Sequence, residues 1–236
     1  MIIQTLRALL LLPVIIPQAI WVRRNATRMP EAAGPRHGMR GNGPPLRILV
    51  IGDSSAAGVG AEHQDQALTG QLVRQLEASH QVTWRIIAKS GGTVASTLEM
   101  LTPVPAEAFD VAVTALGVND AKNGVSMATW QREYGELLDL LEHRFGVTKT
   151  IVSGLPPVRH FPLLPWPLKL VLGERSEQFD RALAKLADKR EKAAYLPLNF
   201  TLDISHMASD GFHPGPAIYA EWAEGVAALI EAERTT

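Results

Sequence analysis

Four short stretches of this chain carry polar residues that packing alone does not explain. They are Gly52-Asp-Ser54, Ser90-Gly-Gly92, Gly117-Val-Asn-Asp120 and Ser209-Asp-Gly-Phe-His-Pro214. Acyl transfer needs a nucleophilic oxygen, a base within hydrogen-bond reach, a carboxylate that holds the base's tautomer, and donors aimed at the developing oxyanion. The four stretches contain residues for each of these tasks. Ser54 is the first candidate nucleophile, and Ser55 is its alternative.

The rest of the chain predicts a scaffold that brings these stretches together. Apolar runs typical of strands alternate with segments whose apolar residues recur at helical spacing. The predicted strands are Leu46–Ile51, Val82–Ala88, Phe109–Leu116, Thr150–Ser153 and Ala194–Leu198, and the predicted helices are Ala67–Ser79, a short helix ending at Leu101, Met127–Arg144, Glu174–Lys192 and Pro216–Glu233. We therefore predict an α/β protein, a three-layer α/β/α sandwich with a central five-stranded parallel sheet.

The first three polar stretches each follow a predicted strand, and the fourth lies just before the last helix. The apolar run Ile48–Ile51, for example, breaks at Gly52 into small and polar residues. In an open α/β sheet the carboxyl ends of the strands form the ligand crevice. We therefore expect the four stretches to form one site at one edge of the sheet.

The order and spacing of these motifs resemble those of the SGNH, or GDSL-type, hydrolase family of serine esterases and lipases. The resemblance extends over residues 46–223. It implies the flavodoxin-like fold of that family and the hydrolysis of carboxylic esters, with no cofactor and no metal. A small-molecule or lipid-like ester is the substrate that such a site would take.

The resemblance also implies a role for each matching residue. Ser54 in Gly52-Asp-Ser54 corresponds to the nucleophile, with its own N–H as one oxyanion donor. Gly91 and Asn119 correspond to the other two donors. Asp210 and His213 match the family's D-x-x-H motif as the orienting acid and the general base.

The sequence departs from the family pattern in two of the motifs. The first motif ends in Ser55 where a leucine is usual, and the second lacks the asparagine that often precedes its glycine. Gly92 therefore stays open as the oxyanion donor in place of Gly91. The pair Asp203 and His206 has the same spacing as the predicted acid and base, but it lacks the anchor that the last helix gives to the later pair.

Other functions remain open from the residues alone. Asp53, Asp120, Asp210 and His213 could serve as the ligands of a metal-dependent phosphoesterase. A thioesterase, a lysophospholipase or a carbohydrate deacetylase could use the same serine site, and a catalytically idle acyl-binding module is a further alternative. No G-x-S-x-G motif and no phosphate-binding G-x-x-x-x-G-K-[ST] loop is present.

Composition bounds these alternatives. The chain has 236 residues, of which 46% are hydrophobic and 20% charged, as in ordinary globular domains. A net charge of −1 gives no electrostatic footprint for nucleic acid, so we expect no nucleic-acid partner. The chain has no cysteine, which excludes disulfides, thiolate metal sites and a cysteine nucleophile.

The chain before the first strand predicts two further segments. Residues 1–24 are mostly apolar and precede several arginines, which favours a membrane anchor or surface helix on the cytoplasmic side. An export signal and a helix packed on the domain are the alternatives. Residues 25–45 are predicted to be a Gly/Pro-rich linker, and residues 46–236 the catalytic domain.

One apolar segment bears on the substrate. Residues 155–173 follow the fourth strand and contain five prolines, so they cannot form a regular strand or an uninterrupted helix. They form either a core-packed loop or a lid or wall of an acyl pocket. Phe161, Leu163, Leu164 and Trp166 are the predicted substrate-binding residues.

Overall fold

The computed structural model describes residues 2–198 and 204–232. In this part of the chain a single sheet contains six strands: β1 (His37–Arg40), β2 (Pro45–Gly52), β3 (Gln81–Ala88), β4 (Val111–Ala115), β5 (Lys149–Ser153) and β6 (Ala193–Leu196). Their order is β1-β3-β2-β4-β5-β6, in which β2 to β6 pair in parallel and β1 pairs antiparallel with β3. When only the five parallel strands are numbered, with β2 as the first, their order in the sheet is 2-1-3-4-5, which is the flavodoxin-like order.

Helices cover both faces of the sheet. They are α1 (Ile2–Asn25), α2 (Leu68–Leu76), α3 (Val94–Leu101), α4 (Val118–Lys122), α5 (Met127–Phe145), α6 (Leu168–Asp188) and α7 (Pro216–Ala232). Ile48 and Val50 pack with α2 and α7 on one face, and Leu49 and Ile51 pack with α3, α5 and α6 on the other. Alternate residues of β2 therefore enter two separate cores, which explains why its sequence is continuously apolar. The predicted three-layer α/β fold is confirmed.

Two predictions are wrong: the sheet has six strands rather than five, and residues 25–45 are not only a linker. β1 lies inside residues 25–45, which were predicted to be a linker, and its antiparallel pairing makes the sheet mixed and six-stranded. Short-range periodicity does not reveal this strand because it is an edge strand of four residues with alternating partial exposure. The preceding chain also packs on the domain, since Ala32 is buried and its N–H donates to the carbonyl of Ala57.

The proline-rich segment 155–173 begins irregularly and ends as a helix. Val158–His160 is a 3-10 turn, and α6 begins at Leu168, six residues earlier than the predicted start at Glu174. Proline is tolerated at the start of a helix, where its missing N–H would have no partner within the helix, so α6 can begin directly after Pro167. The last part of the segment is therefore helical.

The N-terminal helix α1 lies against the start of α6. Ile15 is buried in a cluster with Val158, Phe161, Leu164 and Leu168. Over the described residues, none of the helices has the combination of length and apolar character needed to span a membrane.

Candidate active site

Ser54, His213 and Asp210 lie in a row at the carboxyl edge of the sheet. Ser54 follows the end of β2, and its hydroxyl lies 2.9 Å from Nε2 of His213. On the other side of the ring, Nδ1 lies 2.5 Å from Oδ2 of Asp210. Ser54 is 9% exposed and Asp210 8%. This hydrogen-bonded chain can pass a proton from the hydroxyl to the imidazole while the carboxylate holds the tautomer.

A tight loop holds the acid and the base together. Oδ1 of Asp210 accepts the backbone N–H groups of Phe212 and His213, both at 3.0 Å. Gly211 has φ +64°, a conformation that glycine adopts without steric cost. Burial raises the pKa of Asp210, but the hydrogen bonds from His213 and from the two N–H groups outweigh it, so the pKa is lowered. The carboxylate therefore stays ionised beside the imidazole.

The backbone N–H groups of Ser54 and Gly91 donate no hydrogen bond to any described residue. The N–H of Gly92, the alternative donor, is bonded to the carbonyl of Lys89 at 2.9 Å. Gly91 has φ +78° and is exposed, and it is not among the residues that line the cleft beside Ser54. Of the two glycines, Gly91 is the one with an available donor.

Asn119 joins three of the four motifs. Its side chain is buried at the start of α4, and Nδ2 donates to Oδ2 of Asp53 and to the carbonyl of Gly92, both at 3.0 Å. Its Oδ1 accepts from Nζ of Lys122 at 2.8 Å. The amide is therefore held on three sides.

Two buried carboxyls support these loops. Asp53 accepts the N–H of Ser55 at 2.9 Å and also accepts from Asn119. Burial raises its pKa, against the effects of the Ser55 hydrogen bonds and the charges of His213 and Lys122. Asp120 accepts the first N–H of α3, from Val94, and burial raises its pKa to about 6.

A largely apolar cleft opens beside Ser54, with an empty volume of about 700 Å³ that includes its open mouth. Its lining includes Leu116, Val118, Phe161, Met207, Phe212, Ile218 and Trp222. Of the four predicted substrate-binding residues, only Phe161 lines it. Leu164 is buried beneath the wall, Leu163 is partly exposed, and Trp166 is 69% exposed on the outer surface.

Neither the alternative acid–base pair nor the alternative metal site is supported by the described residues. Asp203 lies outside the described residues, and His206 is exposed. In the described part of the chain, no group of three or more His, Asp or Glu side chains is arranged to hold a metal ion. Asp53, Asp120 and Asp210 instead each support a different loop.

Sequence reasoning missed two residues at this site. Lys122 contacts the amide of Asn119, and Oε1 of Glu31 accepts the N–H of Ser90 at 2.8 Å. Glu31 lies in the predicted linker, 59 positions from its partner, so no local signal marks it. Lys122 is three residues after Asn119, and residues three apart lie on the same face of a helix. A prediction of the short helix α4 would therefore have indicated that the two side chains can meet.

This chain has the same fold as several hydrolases of known structure. The lipase Lip_vut3 from the goat rumen metagenome is 19% identical with a TM-score of 0.65, covering 78% of this chain and 96% of that chain. The extracellular lipase of Streptomyces rimosus is 16% identical with a TM-score of 0.58, covering 79% of this chain and 99% of that chain. The acetylxylan esterase Axe2 of Geobacillus stearothermophilus is 17% identical with a TM-score of 0.61, covering 80% of this chain and 95% of that chain. At these identities the likeness shows the fold. Among curated proteins, no sequence matches this chain.

Fold and comparisons define the class: the protein is a carboxylic ester hydrolase with an α/β fold. More particularly, the family model of the GDSL-like lipases and acylhydrolases matches residues 50–221, and the chain belongs to that family. The resemblance read from the four motifs is thus confirmed.

Proposed function

We propose that the protein hydrolyses carboxylic esters through an acyl-enzyme on Ser54. The observation that carries this proposal is the continuous hydrogen-bonded chain from the Ser54 hydroxyl through His213 to Asp210. Nε2 of His213 takes the hydroxyl proton as the Ser54 oxygen bonds to the ester carbonyl carbon. Asp210 holds the ring and stabilises the imidazolium that forms.

The oxyanion would be bound by three donors. The backbone N–H groups of Ser54 and Gly91 are available for it, and the side-chain amide of Asn119 bonds to their chain neighbours Asp53 and Gly92. When the tetrahedral intermediate collapses, the proton on His213 passes to the leaving alcohol and the acyl group stays on Ser54. His213 then takes a proton from water, whose oxygen attacks the acyl carbon, and returns it to Ser54 as the acid leaves.

The cleft supports an ester whose acyl group is apolar and of short or medium length. Its walls are side chains such as Leu116, Phe161 and Trp222, which offer few hydrogen-bond partners to a sugar. This favours an esterase, lipase, thioesterase or lysophospholipase role over a carbohydrate deacetylase role. Axe2 is by its title an acetylxylan esterase, so the fold itself does not decide between these substrates.

Covalent labelling tests the nucleophile directly. We expect an alkyl fluorophosphonate to add once to the protein and to stop ester hydrolysis, with the label on the peptide that contains Ser54. Ser54→Ala should abolish both labelling and turnover, because it removes the hydroxyl that bonds to Nε2 of His213. Ser55→Ala is the matched control and should keep both. Labelling at Ser55, or full turnover by Ser54→Ala, would refute the assignment.

A further inference from the structure

In the N-terminal helix α1, residues 10–25 leave most of their apolar surface uncovered. One stripe, formed by Leu11, Ile15 and Val22, packs against the cluster under the cleft wall. The other large apolar side chains between residues 10 and 25 occupy the rest of the helix circumference there and are exposed: Leu10, Leu12, Val14, Ile16, Ile20 and Trp21. In the described part of the chain, only two other large hydrophobic side chains are comparably exposed, Met39 and Trp166. An apolar patch this concentrated marks an interaction surface.

Trp166 belongs to the same surface. The side chain of Gln18 on α1 donates to the carbonyl of Trp166 at 2.7 Å and accepts the N–H of Leu168 at 3.1 Å. The indole of Trp166 is 69% exposed and that of Trp21, less than one turn from Gln18, is 57% exposed. Exposed indoles are enriched where proteins meet the boundary between lipid tails and headgroups.

Charge distinguishes the kind of partner. Arg23, Arg24 and Arg28 are exposed at the end of α1 and just beyond it, and the helix itself holds no acidic residue. Arginines beside an apolar face and exposed tryptophans suit a surface with anionic headgroups above hydrocarbon. A second copy of this chain would bring the same arginines into proximity.

We propose that the exposed face of α1 and Trp166 form a docking surface for an anionic lipid layer. The surface adjoins the cleft, because Phe161 lines the cleft and packs in the same cluster as Ile15 of α1. Docking therefore brings the cleft wall close to lipid. The proposal concerns a partner, and it holds whether or not the catalytic roles above are correct.

Lipid quenching of tryptophan fluorescence tests this proposal. The chain has five tryptophans, and Trp84, Trp130 and Trp222 are buried. With vesicles of phosphatidylcholine and phosphatidylglycerol that carry brominated acyl chains, we expect quenching in the full-length protein and its loss in Trp21→Phe/Trp166→Phe. Vesicles of phosphatidylcholine alone should bind more weakly, and added salt should weaken binding to the anionic ones.

In a vesicle sedimentation assay, surface variants separate the contribution of the apolar face from that of the arginines. Val14→Asp/Ile16→Asp should reduce binding by about tenfold or more, since charge on the apolar face opposes insertion. Arg23→Gln/Arg24→Gln should reduce the preference for anionic vesicles. The control Met39→Asp, at a comparably exposed site on the edge strand, should change neither the binding to vesicles nor this preference. All variants should hydrolyse a water-soluble ester like the parent. Absence of quenching, or self-association that Val14→Asp/Ile16→Asp abolishes, would overturn the proposal.

A second inference rests on the contacts of Asn119. Its Oδ1 faces the ammonium of Lys122, while its two amide hydrogens face the carboxylate of Asp53 and the carbonyl of Gly92. An ammonium can face only the oxygen of an amide, so this contact fixes which end of Asn119 points toward the oxyanion site. A cation on the oxygen also polarises the N–H bonds and strengthens their donation.

We infer that Lys122 is a positioning residue that acts through Asn119, a role that depends on the proposed function. For a water-soluble ester, Lys122→Met should lower kcat by about tenfold with little change in KM, the size expected for a charge-assisted hydrogen bond. The affinity for an alkyl boronic acid, which mimics the tetrahedral intermediate, should fall by a similar factor. Lys122→Arg should restore most of both.

A double-variant cycle distinguishes the outcomes. Because Lys122 acts through the amide, Asn119→Ala/Lys122→Met should be no slower than Asn119→Ala alone. Additive losses, or a fall in thermal stability with unchanged kcat, would overturn the inference. If Asn119→Ala itself left turnover unchanged, the proposed oxyanion role would fail instead.

Discussion

Asn119 is already fully hydrogen-bonded before any substrate enters. Both hydrogens of Nδ2 are donated, one to Asp53 and one to Gly92. Binding an oxyanion therefore requires one of them to be shared with, or transferred to, the substrate oxygen. A donor held in place beforehand costs little reorganisation when the charge develops, which is the basis of electrostatic catalysis.

We predict that Asn119→Ala lowers kcat by about 10²–10³, the usual loss for one oxyanion donor. KM should change little, because the donor acts on charge that develops after binding. The measurement is steady-state hydrolysis of a chromogenic ester, with circular dichroism to verify folding. Asn123→Ala, an exposed asparagine at the end of the same helix, is the control and should behave like the parent. A folded Asn119→Ala enzyme with parental kcat would remove the amide from the mechanism.

The proposed reacting residues could be found from the sequence because each is tied to a strand or helix end. Ser54, Asn119 and His213 stand in short motifs whose spacing is set by the chain itself. Lys122 and Glu31 could not be assigned in this way, because their roles come from contacts between loops. The choice between Gly91 and Gly92 also depends on which N–H is already used, and only coordinates contain that information.

Helix α3 begins on a carboxyl from another element. Asp120 of α4 accepts the N–H of Val94, the first residue of α3, so the helix dipole and a hydrogen bond favour its charge. Burial nevertheless dominates and raises its pKa from 3.8 to about 6. The folded protein thus binds a proton more tightly than the unfolded chain does. Stability falls as pH rises through this range, and the full penalty is present above pH 6.

We predict that Asp120→Asn gains stability relative to the parent as pH rises from about 4 to 7, by at most about 3 kcal/mol. The asparagine keeps an oxygen for Val94 but carries no charge, so it avoids the penalty. Thermal melts of both proteins across this pH range provide the measurement. Asp188→Asn, an exposed position at the end of α6, should show no such trend. A difference between Asp120→Asn and the parent that is constant with pH would contradict the burial argument.

Elements with a strong internal period were predicted well, and those defined by their neighbours were not. The strand β2 and the helix α5 match their predicted positions to within one residue at each end. β1 has no such period. It is held by its ladder to β3 and by Arg40, whose guanidinium bonds to Asp65 and lies over the ring of Trp84. Its place in the sheet is therefore a property of the folded molecule.

The described residues form three apolar clusters, and the cleft lies against the smallest of them. Two clusters fill the opposite faces of the sheet, while the third joins α1, the 155–173 segment and Phe212. Phe161 is shared between this third cluster and the cleft, and its ring meets that of Phe212 edge to face at 5.2 Å. The substrate wall is thus supported from behind by the N-terminal helix.

This arrangement predicts how the enzyme selects its acyl chain. In a series of straight-chain esters, kcat/KM should rise by up to about fourfold per methylene, equivalent to about 0.8 kcal/mol, until the cleft is filled. Phe161→Ala removes part of the wall, so its optimum should move to a longer acyl chain. Trp166→Ala, in the same segment but outside the cleft, should leave the profile of water-soluble esters unchanged. If Phe161→Ala kept the parental optimum, the acyl group would have to bind elsewhere, and the wall would serve only to support Phe212 beside His213.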